Sequence, residues 1–282
     1  MWKRLIVLAW LAMLAPLLHA AGADDVVGMV LDVQGNGEMK VKGEASKLQL
    51  LSYLKPGTQI KLDAGARASV SHYGARLIYQ LSGPTVAQVG ADQIKVSSGT
   101  PAHTKSLAEK VVAAAINPAM GAAAFKMRGL SSEIALVAPS AKTALLTTRP
   151  SFKWEADEPA SYQLVLTELP ERVVARAKVD AAGWELPGNL ALEFGKDYRW
   201  SVSYTSAADG RTRSAGADFS VATQAEAEAL TALRPAPDAG VDEWVLYASI
   251  LRDRRMLDDA RQVWRGIATQ RPDLAKAQSM AR

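Results

Sequence analysis

The chain has 282 residues, 49% of them apolar and 22% charged, with no cysteine and a formal charge of +4. Absence of cysteine excludes disulfides, thiolate metal sites and cysteine nucleophiles together, and the apolar share is that of a folded chain. Acidic and basic residues are interspersed, whereas a nucleic-acid protein gathers its positive charge into a patch or stripe. No nucleic-acid partner is expected.

Residues 1–23 read as a cleavable secretory signal. Lys3 and Arg4 precede an uncharged run from Leu5 to Leu18, and Ala21-Gly22-Ala23 supplies small residues before Asp24 and Asp25. That is the layout of an export signal. A run of about 14 apolar residues is shorter than the roughly 20 that span a bilayer. Cleavage takes the charge to +2 and leaves a soluble product with no transmembrane helix, expected in the periplasm.

Residues 24–103 read as a small β domain. Val26 to Val33 is a nearly continuous apolar run, and Glu38 to Lys42 alternates with the two-residue period of a half-buried strand. Asn36-Gly37 between them predicts a tight hairpin, since a type I′ turn needs positive φ at both central positions. Alternation resumes at Gln59 to Leu62; Ala66 to Tyr73 and Arg76 to Leu81 read as a strand pair; Val86 to Val89 and Ile94 to Val96 complete the set. Such spacing implies a small barrel or sandwich.

Residues 104–133 read as a helical connector. Ser106 to Ile116 is alanine-rich and helix-favouring, Asn117-Pro118 interrupts it, and Gly121 to Met127 predicts a second short helix. Residues 134–222 return to β. Phe152 and Trp154 share one strand face, Tyr162 to Leu166 forms another strand, and Tyr198, Trp200, Val202 and Tyr204 alternate strictly before a closing strand at Ala217 to Val221. About seven strands over this length imply an immunoglobulin-like sandwich.

Residues 223–282 read as helical: Thr223 to Leu233, Val241 to Asp253 and Leu257 to Gln270. Trp244, Tyr247, Ala248 and Leu251 form one apolar stripe; Ala260, Val263, Trp264 and Ile267 form the other. Arg252, Arg254 and Arg255 close the first of this pair and Asp258 with Asp259 opens the second, each set complementing a helix dipole. This charge cluster reads as a solvated junction. The overall fold class is mainly β with a C-terminal helical hairpin.

Three stretches carry family resemblances. Leu192-x-x-Gly195-x-x-Tyr198, with the Arg149 to Trp154 strand, resembles fibronectin type III sandwiches, which implies that the Tyr198 hydroxyl bonds back to main chain near the preceding turn. The segment from Leu54-Lys55-Pro56-Gly57 through Gly65-Ala66-Arg67-Ala68 to Ser82-Gly83-Pro84 resembles a FecR-type periplasmic domain, with Tyr73-Gly74-Ala75 where that family usually has Asp-Gly-Ser. Signalling to a sigma factor does not carry over, because the membrane helix and cytoplasmic segment for it are missing. Residues 241–274 resemble one tetratricopeptide repeat, with Trp244, Ala248, Ala260, Trp264 and Pro272 at its signature spacing. A lone repeat implies packing on other parts of the chain or on a partner.

No cluster for chemistry emerges. His72 falls in an expected strand and His103 in an expected loop, without metal-ligand spacing. Gly35-x-Gly37 joins two strands, whereas a dinucleotide fingerprint opens a helix. No catalytic, metal or cofactor residues are assigned, and no cofactor is expected. The expected role is a non-enzymatic envelope protein that binds or scaffolds a protein partner, with the hairpin's apolar stripe as a docking face. The alternative is binding of peptidoglycan or another polysaccharide through an exposed aromatic ring, for which Trp184 is the candidate; an envelope enzyme ranks third.

Overall fold

The structure is a computed structural model that describes residues 26–115, 134–158 and 160–282. The expected signal and the expected helix at Gly121 to Met127 lie outside the described residues. The fold is mainly β, with 42% strand and 21% helix among the described residues. Among the described residues no helix is long and apolar enough to cross a membrane.

The first unit contains β1 (Gly28–Gln34), β2 (Gly37–Val41), β3 (Glu44–Lys47), β4 (Tyr53–Leu54), β5 (Gln59–Leu62), β6 (Arg67–His72), β7 (Leu77–Ser82), β8 (Thr85–Val89), β9 (Ile94–Gly99) and β10 (His103–Ser106). They form two five-stranded sheets, ordered β10-β7-β6-β1-β4 and β3-β2-β5-β8-β9. Val30, Leu54, Val70 and Leu81 of the first sheet share a buried core with Ile60, Leu62, Ala87 and Val89 of the second. The strand pair β6–β7 has the expected antiparallel register, Arg67 opposite Ser82 and His72 opposite Leu77.

Two local expectations are corrected. Asn36-Gly37 makes no hairpin: β1 pairs with β4 and β6, while β2 pairs with β3 and β5, so the chain changes sheets here. The tight hairpin lies six residues on, where Lys42 (φ 48°) and Gly43 (φ 94°) both take the left-handed conformation a primed turn requires. His103 is not in a loop. It opens β10, an edge strand running antiparallel to β7. The helix of the connector is correspondingly shorter, α1 (Glu109–Ala115).

The second unit contains β11 (Ile134–Ala138), β12 (Ala144–Leu145), β13 (Ser151–Ala156), β14 (Tyr162–Glu168), β15 (Arg172–Val179), β16 (Gly183–Glu185), β17 (Asp197–Thr205) and β18 (Thr212–Val221). A three-stranded sheet, β11-β13-β16, faces a five-stranded one, β12-β18-β17-β14-β15. The alternating residues of β17 all point inward: Tyr198, Trp200, Val202 and Tyr204 are buried. Phe152 meets the Trp200 ring edge-on at 5.3 Å, and Trp154 meets Tyr162 the same way at 5.3 Å. Buried aromatics of this kind each remove about 150–250 Å² from water and dominate a small core. The Tyr198 hydroxyl accepts the Glu193 N–H at 2.9 Å, tying the strand to the preceding turn.

The helices are α2 (Gln224–Ala232), α3 (Val241–Asp253), α4 (Leu257–Gln270) and α5 (Ala275–Met280). Thr223 caps α2, its side chain accepting the Glu226 N–H. Most of the expected docking stripe is covered by the rest of the chain. From Val245 to Leu251 every residue of α3 is buried, because the helix packs against β1 and α1 as well as α4. Met29, Leu31, Tyr73 and Ile78 of the first sandwich share one core with Leu246, Ile250, Leu251 and Trp264. This explains the continuous apolar run in β1: the strand is covered by the second sheet on one face and by helices on the other.

Charged groups complete this attachment. Arg271, at the end of α4, donates to the Asp32 carboxylate at 2.6 Å and to the Val33 carbonyl at 3.1 Å. Lys105 on β10 lies 3.6 Å from Asp242, which is 4% exposed. The helical hairpin is therefore an internal brace, and its other end meets the second sandwich.

Candidate functional site

The turn between α3 and α4 places Arg255 at φ 63°. Its carbonyl accepts the Ala144 N–H at 2.9 Å. Thr143, almost completely buried, then stands where the helix needs a cap: its hydroxyl accepts the N–H of Leu257 at 3.1 Å and of Asp258 at 3.4 Å. An oxygen from the sandwich thus satisfies amides that α4 leaves unpaired. Asp258 accepts the Ser140 N–H at 2.8 Å and pairs with Arg261 at 2.5 Å. The cluster expected to be a solvated junction is instead a seam between helix and sandwich, because its amides and carboxylates answer sandwich main chain.

Beside this seam opens a cleft of about 420 Å³, walled by Trp244, Tyr247 and Leu251 from α3, Val263 and Ile267 from α4, and Leu146 from the sandwich. Trp244 and Tyr247 meet edge-on at 6.3 Å. The guanidinium of Arg234, just beyond α2, lies 5.9 Å from the centre of the Trp244 ring. Gly266, exposed in the middle of α4, also lines the opening, and a Cβ built on it would meet nothing within 4 Å. A second cleft of about 360 Å³ adjoins it, sharing Thr147, Asp259 and Gln262 and adding Lys153, Arg261 and Arg265.

Asp259 supplies a carboxylate to the cleft. Its carboxylate accepts the Leu146 N–H at 3.4 Å and has no ion-pair partner among the described residues. Burial pushes its pKa up to about 6; the Leu146 amide and Arg234 pull the other way, and neighbouring Asp258 adds to the rise. Burial also raises Tyr247 in the opposite wall. A concavity of this size, about half polar in its lining and with aromatic side chains in one wall, has the form of a ligand site.

No protein-family model and no curated protein matches this chain.

The residues singled out in the sequence do not converge on the cleft. Trp184 lies on β16, partly buried, with its ring 5.4 Å from Phe152. His72 is fully buried; its Nδ1 accepts the Ala75 N–H at 3.0 Å and its Nε2 donates to the Gly90 carbonyl at 3.1 Å, which uses both ring nitrogens. His103 is exposed on the edge strand β10. Among the described residues no three His, Asp or Glu side chains are placed to hold a metal. In the sequence Trp244 and Tyr247 carry only a packing pattern and Asp259 only a helix-start pattern, and nothing in the residues around Arg234 marks it for a site. Gly266 alone carried a sequence signal, a glycine in the middle of an amphipathic helix.

Proposed function

We propose that this is a non-enzymatic binding and scaffold protein of the bacterial envelope, exported to the periplasm, and that it engages a protein partner at the cleft beside the helix–sandwich seam. The carrying observation is the construction of that cleft. Three separate parts of the chain wall it, the brace behind them is packed against both sandwiches, and two aromatic side chains line it. Rigid support of this kind lowers the ordering cost of binding, and buried aromatic area supplies most of the affinity at such sites. The buried histidine and Asp258 have their polar atoms engaged by neighbouring groups, which favours a structural role for them over a catalytic one.

The test uses the full exported chain carrying a photocrosslinking amino acid at Gln262, an exposed residue common to both clefts. Irradiation of whole cells is expected to give one discrete adduct with a protein, found in the periplasmic fraction, and Gly266→Trp should remove it. An adduct that persists unchanged in Gly266→Trp, the lack of any adduct, or unprocessed protein in the cytosol would each overturn the reading.

A further inference from the structure

The cleft contains two features that weaken the fold locally and that packing does not explain. One is Asp259. Its neighbour Asp258 has both an arginine and a main-chain amide, whereas Asp259 has a long bond from Leu146, its own backbone amide, and no cation within ion-pair reach among the described residues. A carboxylate taken out of water without a counter-charge is costly. Nor is it the main cap of the helix, since the Thr143 hydroxyl accepts the first two amides of α4. The other is Gly266, which forfeits helix propensity at an exposed interior position and avoids no clash by lacking a side chain.

The third observation gives the sign of the missing charge. Trp244 already holds a guanidinium, that of Arg234, over its ring, so the aromatic wall is arranged as a cation receptor. The charged groups around Asp259 are few. Arg234 reaches toward it from the end of α2, and Asp258 adjoins it on α4. In the neighbouring cleft, Arg261 is engaged by Asp258 and the Arg282 carbonyl, Arg265 by the Ala281 carbonyl, and Lys153 extends from β13.

We propose that the cleft takes a lysine or arginine side chain from an extended segment of the partner protein, its cationic head against Asp259 and its aliphatic stem along Leu251, Val263 and Ile267. Arg234, held over the Trp244 ring, is then the resident cation that competes with the incoming one for Asp259. The missing side chain at Gly266 leaves room for the partner's main chain to pass. The inference rests on the cleft being the binding surface and names the group that fills it.

The test is calorimetric titration of the full mature chain with the peptide Ac-Gly-Ser-Lys-Ser-Gly-NH2, with its arginine counterpart, and with a counterpart bearing norleucine, which keeps the stem and drops the charge. At about pH 7.5 the cationic peptides are expected to bind roughly tenfold more tightly than norleucine, the size of effect a close charge pair gives. Asp259→Asn should abolish this preference, and its fold is checked by circular dichroism. Arg234→Ala should tighten the cationic peptides. Acidification to about pH 5 should shrink the preference as the carboxylate protonates. Equal affinity for charged and norleucine peptides, or a preference that survives Asp259→Asn, overturns the proposal. If norleucine binds equally well and Gly266→Leu removes all binding, the cation is refuted and the cleft stands. If no peptide binds, the cation is refuted, and the crosslinking result decides on the cleft separately.

Discussion

Replacing Asp259 by asparagine should make the protein more stable, and only in one pH window. Asparagine keeps an oxygen for the Leu146 N–H and removes the charge. The carboxyl has a pKa near 6 in the fold against an ordinary value of 3.8. Because the folded value is raised, its protonation favours the fold at pH below about 4, and that contribution is lost as pH rises to about 6. Above that the native state carries an ionised, desolvated group. A shift of about two units corresponds to about 3 kcal/mol, which we reduce to about 1–2 kcal/mol because the side chain borders an open cleft. In urea denaturation near pH 7.5, Asp259→Asn should therefore shift the midpoint upward by that amount with an unchanged slope. Near pH 4 the two proteins should unfold alike. Equal stability at the higher pH, or a gain that is the same at both, would refute the reasoning and place a counter-charge or solvent at Asp259.

Three further perturbations probe the seams. Arg271→Ala strands the Asp32 carboxylate, 16% exposed, and should cost about 3 kcal/mol in chemical denaturation, with earlier proteolytic cleavage between the first sandwich and the helices. Thr143→Val removes the hydroxyl that caps α4 from outside and should cost about 1–2 kcal/mol, read as a lowered melting temperature. Trp184→Ala removes a half-buried ring from Phe152 and should cost about 2 kcal/mol, less than a fully buried tryptophan; an unchanged melting temperature would mean that the ring contributes nothing to the sandwich.

Where the sequence was read correctly, the signal was local. The inward face of β17 follows from strict alternation over seven residues, Tyr198 to Tyr204, which depends only on the geometry of one strand. The limits of α3 and α4 follow from a 3.6-residue period, the intervening Arg254–Arg255 turn and acidic residues in each first turn. Asn36-Gly37 misled for the opposite reason. A turn-forming pair reverses the chain only if both flanking strands belong to one sheet, and here β1 finds its partners in β4 and β6. The polar residues of β10 carry no inward pattern, since an edge strand covered on one side only needs little apolar area, so His103 and its neighbours read as a loop.

Composition and periodicity by themselves determined a mainly β chain, the inner faces of its strongest strands and the lengths of its helical pair, because each of these depends on residues only a few positions apart. Tertiary structure alone decided that the pair braces both sandwiches, and that Trp244, Tyr247, Asp259, Arg234 and Gly266 border one cleft. Those facts rest on contacts such as Arg271 to Asp32, 239 residues apart, and Asp259 to Leu146, 113 apart. Which distant surfaces meet is set by the summed burial of whole faces, and no short window of sequence contains that sum.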